Sequence, residues 1–130
     1  MSGTASFSEL YPLNVTAILN AASGILPVIL SGGPPPMMRV DQMIASQNDV
    51  VDHVMHVILY DGVNISELFN VTVPAGSGFG TIPATDVLAA APTSIQTGFV
   101  IGSPLAIAVY LEVVLGGASN LYVTFFGGTL

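Results

Sequence analysis

Apolar residues come along this chain in short runs rich in Val, Ile, Leu and aromatic side chains, and clusters of Gly, Pro, Asn, Asp and Ser separate them. That punctuation marks strands joined by turns. It predicts strands over 13–21, 25–30, 37–46, 53–60, 67–73, 95–101, 105–115 and 121–126. Turns are predicted at Ser31-Gly32-Gly33, Asn48-Asp49, Asp61-Gly62, Gly76-Ser77-Gly78 and 116–120. Asp61-Gly62 is a good hairpin signal because the pair tolerates positive φ. One short helical turn is predicted over 84–91, with Thr85 or Asp86 as N-cap and Pro92 ending it.

Within 39–46, strict alternation sets Val40, Gln42, Ile44 and Ser46 against Arg39, Asp41, Met43 and Ala45. Over 105–115 both faces are apolar apart from Tyr110 and Glu112. Such a strand lies in the middle of the core or beneath a neighbouring subunit. Strands of this number and spacing predict an all-β fold: a two-sheet antiparallel β-sandwich of about eight strands, with the jelly roll among the arrangements that fit. No internal repeat is evident. A length of 130 residues suits one domain, 1–130, carrying an N-terminal arm over about 1–12.

Composition then narrows the function. The chain is 52% hydrophobic and only 7% charged, where ordinary soluble domains carry about 25% charged residues. Arg39 is the lone cation, set against eight acids, so the net charge is −7. A folded monomer of this mass exposes roughly 6,500 Å², far more than so few charged side chains cover. The expectation is a protein that buries much of its outside against copies of itself or other subunits. The competing expectation is a monomer coated with Ser, Thr, Asn and Gly. The absence of lysine and the negative charge argue against nucleic acid and against anionic membrane surfaces as partners. The uncharged stretches 10–38 and 87–111 are interrupted by prolines, so neither predicts a membrane-crossing helix. No basic region followed by an apolar run opens the chain, so no signal peptide is expected. With no cysteine there are no disulfides, thiolate metal sites or cysteine nucleophiles.

Candidate chemistry is sparse. His53 and His56 are the only histidines, and an offset of three along a strand puts them on opposite faces, where they cannot share a ligand. Two separate structural or interface histidines are therefore expected. The run Gly76-Ser77-Gly78-Phe79-Gly80 matches neither a nucleophile elbow nor a dinucleotide fingerprint and predicts a loop. Glu67 and Glu112 are the only glutamates in strand segments, but nothing in the sequence brings them together as a glycosidase pair. Asn48, Asp49 and Asp52 do not match a calcium loop and predict a solvated turn. No catalytic residue, cofactor site or metal site is expected. Arg39 can pair with Asp41 in its own chain or with an acid of a neighbouring subunit.

The run Pro34-Pro35-Pro36 before Met37 and Met38 predicts a stiff extended segment, with the methionines as adaptable apolar contacts. Phe7, Leu10 and Tyr11 are candidate anchors of the N-terminal arm. With Arg39 and with Phe79 of the glycine-rich loop, these residues form the expected interface set.

Two stretches carry a resemblance. Arg39-Val40-Asp41-Gln42-Met43-Ile44-Ala45-Ser46 is followed by an apolar strand running from Asp52-His53 to Tyr60-Asp61-Gly62, then by Val73-Pro74-Ala75-Gly76-Ser77-Gly78 and a final strand ending Phe126-Gly127-Gly128. In this layout the chain resembles small β-sandwich virion proteins of tailed bacteriophages, especially capsid decoration (cement) proteins. The resemblance implies a non-enzymatic homotrimer on the outer capsid surface that stabilises contacts between major capsid subunits. It carries no catalytic motif and transfers no individual residue roles. Alternatives are a minor capsid, neck or tail component, or a carbohydrate-binding β-sandwich module using Tyr11, Tyr60, Tyr110 and Tyr122.

Overall fold

A computed structural model describes residues 11–30, 37–102 and 105–129. Among the described residues nine strands run in chain order: β1 (Tyr11–Asn20), β2 (Val28–Ile29), β3 (Met37–Gln47), β4 (His53–Tyr60), β5 (Ile65–Val73), β6 (Thr85–Asp86), β7 (Phe99–Gly102), β8 (Ala106–Leu111) and β9 (Asn120–Thr129). One sheet has the order β1-β9-β3-β6, with β7 also on β3, and the other has the order β2-β8-β4-β5. All pairings are antiparallel. The fold is thus the expected all-β sandwich. The short strands β6 and β7 pair with opposite ends of β3 and together fill one strand position. Counted so, the two sheets are each four positions wide and interleave as a jelly roll does.

Apolar side chains on the inner faces of both sheets make the core. Val40 and Met43 of β3, Met55 and Val57 of β4, Val109 and Leu111 of β8 and Phe125 of β9 are all buried in it. Strand β8 lies inside its sheet between β2 and β4, with Ile107, Ala108, Val109 and Leu111 buried. It is shorter than the sequence predicts, because the chain leaves the sheet after Leu111 and turns to bury Leu115. Of the predicted strand 25–30, Val28 and Ile29 pair with β8, and the Leu30 N–H donates to the Ile107 carbonyl at 2.8 Å. The predicted strand 95–101 is reduced to Phe99–Gly102, preceded by a 3₁₀ turn over Thr93–Ile95.

Alternation in β3 departs from the sequence reading. The register against β9 shifts between Val40 and Gln42, so Asp41 is an extra residue in the ladder. This bulge changes the phase of the strand. Met38 and Val40 point inward before it, and Met43, Ala45 and Gln47 point inward after it. Two glycines let other backbone approach the bulge. A Cβ at Gly127 would collide with the Arg39 carbonyl oxygen, and one at Gly98 would lie 2.7 Å from the Val40 carbonyl oxygen.

The β4–β5 hairpin forms where Asp61-Gly62 predicts it. Asp61 Oδ1 accepts from the backbone N–H of Val63 (2.9 Å) and Asn64 (2.6 Å), and Gly62 sits at φ 98°. The helical turn predicted over 84–91 is a 3₁₀ turn, Val87–Ala90. Asp86 holds its N-cap position without a side-chain capping bond, and Thr85 is drawn into β6 against Ala45.

Candidate functional site

Across the outer face of the five-stranded sheet, the register sets three rows of side chains. Asn14, Phe126 and Gln42 make one, Thr16, Thr124 and Ile44 the next, and Ile18, Tyr122 and Ser46 the third. The Thr16 and Thr124 hydroxyls are hydrogen-bonded at 2.8 Å. Every one of these nine side chains is exposed or half-buried, and none carries a charge at neutral pH. Ile18 is 52% exposed and Phe126 37% exposed. Charge stands at the margins, with Asp86 beyond Ile44 and the exposed Arg39–Asp41 pair near the bulge. Arg39 Nε lies 2.7 Å from Asp41 Oδ1, so the bond within the chain is formed. A face of neutral polar and apolar groups on a chain of net charge −7 can meet another protein surface without desolvating charge.

The opposite sheet carries the chemistry-bearing residues. As the strand offset predicts, His53 and His56 face opposite sides. His53 is buried, and its Nε2 donates to Asp49 Oδ2 at 2.8 Å. Asp49 also accepts from the N–H of Val50 (2.7 Å) and Gly116 (3.0 Å). These donors, His53 foremost and then Gly116 and Val50, hold the Asp49 carboxyl down to about 2, against a smaller opposing effect of burial. Beside them, buried Gln47 donates from Nε2 to the carbonyls of Val51 (2.9 Å) and Val73 (2.7 Å). This polar node fastens the β3–β4 turn to the end of β5 and to the β8–β9 connection. The turn predicted as solvated therefore has one buried acid, because Asp49 turns inward while Asp52 accepts from the Ala75 N–H at 2.8 Å. The two carboxylates serve different donors and do not form a calcium loop.

On the outer face, His56 stacks on Tyr110 with ring centroids 4.7 Å apart and an interplanar angle of 4°. Its Nδ1 hydrogen-bonds Glu67, and its Nε2 lies 2.6 Å from Glu112 Oε2. With a carboxylate on each nitrogen, the ring is satisfied as the doubly protonated imidazolium. Burial disfavours that cation, but the hydrogen bonds to Glu112 and Glu67 and their negative charge outweigh it, so the pKa of His56 is raised. Tyr110 stays neutral to higher pH than an ordinary tyrosine, through burial and then the nearby Glu67 and Glu112 charges. The structure thus joins Glu67 and Glu112, which no sequence signal connects, because β4 runs between β5 and β8. Their carboxylates bracket an imidazole rather than an open site. Among the described residues no group of three His, Cys, Asp or Glu side chains is placed to hold a metal ion.

The remaining expected site residues fall as follows. Phe7, Leu10, Pro34, Pro35 and Pro36 lie outside the described residues. Tyr11 opens β1 and Met37 opens β3. Met38 is only 3% exposed and belongs to the core, so it leaves the expected set of surface contacts, because the first residues of β3 alternate inward at this position. Arg39 and Phe79 are exposed. In the glycine-rich loop Ser77 is buried, and its Oγ bonds the Pro83 carbonyl (3.0 Å) and Thr85 Oγ1 (2.8 Å). That hydroxyl closes the loop and is not presented as a nucleophile. Among the described residues no helix is long and apolar enough to cross a membrane.

Compared with known proteins, the chain matches no family model, no curated protein and no solved structure.

Proposed function

We propose that this chain is a non-enzymatic virion structural protein that self-associates and packs on the outer surface of a phage capsid, stabilising contacts between major capsid subunits. The observation that carries the reading is the three uncharged rows across the outer face of the five-stranded sheet, with Ile18, Tyr122 and Phe126 among neutral polar side chains. Proteins that stay monomeric in solution usually coat such a sheet with charge. The jelly-roll wiring adds a fold-level analogy, since that fold recurs in viral capsid domains, and also in lectins and cupins. The lectin-like alternative finds less support here. Tyr110 already stacks on His56, and Tyr122 lies on the other sheet, so these rings do not share a stacking platform.

Light scattering with size-exclusion chromatography across a concentration series tests the self-association, with a closed trimer expected. Ile18→Lys combined with Thr124→Lys puts charge in adjoining rows and is expected to yield folded monomers. Immunogold labelling of intact particles tests the location and is expected to decorate their outside. A wild-type chain that stays monomeric throughout and labels no particle overturns the proposal.

A further inference from the structure

We propose that His56, Glu67 and Glu112 form a proton-operated clasp, which fastens the segment leaving β8 to the sheet while His56 is doubly protonated and lets it go when one proton is lost. The inference does not rest on the assembly reading. Three separate parts of the chain meet at the imidazole: Glu67 from β5, His56 from β4, and Glu112 just beyond β8. Tyr110 of β8 stacks on the ring, and Asn70 of β5 is the register partner of His56. On β4 itself the other titratable groups are His53, which faces the core, and Tyr60, at the end of the strand. Arg39, the chain's lone cation, belongs to the other sheet. No second cation among these groups can replace the imidazolium.

The two carboxylates are not equivalent. Glu67 sits within β5, paired with Ile58 in the ladder to β4, whereas Glu112 lies past the end of β8 and is tied to the sheet at its carboxylate by His56. A neutral imidazole has one N–H to give. Kept on Nδ1, it serves Glu67, the arm fixed in the ladder, and the lone pair on Nε2 then faces the Glu112 carboxylate. Lone pair and anion repel, so Glu112 is the arm that opens. The segment it anchors carries Val113 and Val114, which are exposed side by side, before Leu115 returns to the core. One backbone bond supports the same segment, from the Glu112 N–H to the Val54 carbonyl at 3.2 Å. The clasp therefore sets how firmly this apolar pair is presented at the end of the sandwich.

Nitrogen-15 NMR of the full chain tests the proposal. At about pH 6 both ring nitrogens of His56 should be protonated, with a midpoint above the ordinary histidine value of about 6.5. Glu67→Gln and Glu112→Gln should each lower that midpoint. Hydrogen exchange supplies the readout for opening. As pH rises through the His56 midpoint, the protection factor of the Glu112 amide should fall roughly two- to fivefold, the range set by an exposed ion pair. In His56→Gln it should not vary with pH, and Glu112→Gln serves the same purpose if that variant folds poorly. A singly protonated ring at about pH 6, or Glu112 protection that stays constant while His56 titrates, overturns the clasp.

Discussion

At the scale of single residues, the two histidines sit in opposite kinds of carboxylate site, and they govern opposite limbs of the stability profile. Asp49 is held at about 2 when folded, first by His53 and then by the Gly116 and Val50 amides, against about 3.9 for a free aspartate. A depressed carboxyl contributes stability above its unfolded pKa and loses it as pH falls through the folded one. Asp49→Asn should therefore lower the urea midpoint at neutral pH. Its deficit should shrink between about pH 4 and pH 2, as the wild-type carboxylate takes up its proton. His56 has the reverse sign. Its folded pKa is raised by Glu112 and Glu67 against the effect of burial, so its contribution is complete below its unfolded value and is lost as pH rises through the folded one. Urea midpoints of wild type and His56→Gln should accordingly converge on the alkaline side. Parallel profiles would remove the charged pair from the account. The opposite-face placement of these histidines follows from strand period alone. The partners of His56 do not, since Glu67 is 11 residues away and Glu112 is 56 away, and only the sheet order brings them close.

At the scale of elements, the ladder between β3, β7 and β9 is the most tightly constrained part of the fold. The Asp41 bulge brings the Arg39 carbonyl against Gly127 and the Val40 carbonyl against Gly98. Gly127→Ala must shift backbone rather than a flexible side chain, and should cost roughly 1–3 kcal/mol in chemical denaturation. Phe125→Ala, on the same strand and fully buried, should cost about 3–5 kcal/mol by leaving a cavity. The bulge also shows where the sequence stops being readable. The run 37–46 announces a strand through its β-branched and apolar content, but the inserted residue resets the period, so Val40 and Met43 share the core side. Local alternation has no term for a residue whose partner strand lies this far along the chain, with Val40 against Gly127 and Gln42 against Phe126. The same holds for Thr85 and Asp86. Pro92 and the neighbouring alanines signal the 3₁₀ turn after them, while their strand pairing is set by Ile44 and Ala45. The hairpin at Asp61-Gly62 was legible because its bonds join residues within three positions of each other.

At the scale of the molecule, the two sheets differ in where charge stands: at the margins of one, with Asp86 and the Arg39–Asp41 pair, and across the middle of the other. Three rows of neutral side chains cover the outer face of one, while His56, Glu67 and Glu112 cross the other. Copies with a net charge of −7 repel one another, and an interface through the neutral face has no ion pairs with which to offset that repulsion. Added salt screens the repulsion, with the Debye length falling from about 10 Å at 0.1 M to about 3 Å at 1 M. If the neutral face is the contact, sedimentation equilibrium should therefore show self-association tightening with salt. The alternative role of Arg39 gives the contrary slope. A guanidinium that left Asp41 to bridge to an acid of a neighbouring copy would make the oligomer weaker as salt rises. Arg39→Gln separates the two further. With the 2.7 Å pair kept inside the chain, the substitution leaves the salt slope positive and raises repulsion only by one unit of charge per copy. An intersubunit bridge would instead turn the negative slope positive when Arg39 is lost, and would place the contact at the bulge end of the sheet rather than across its middle rows.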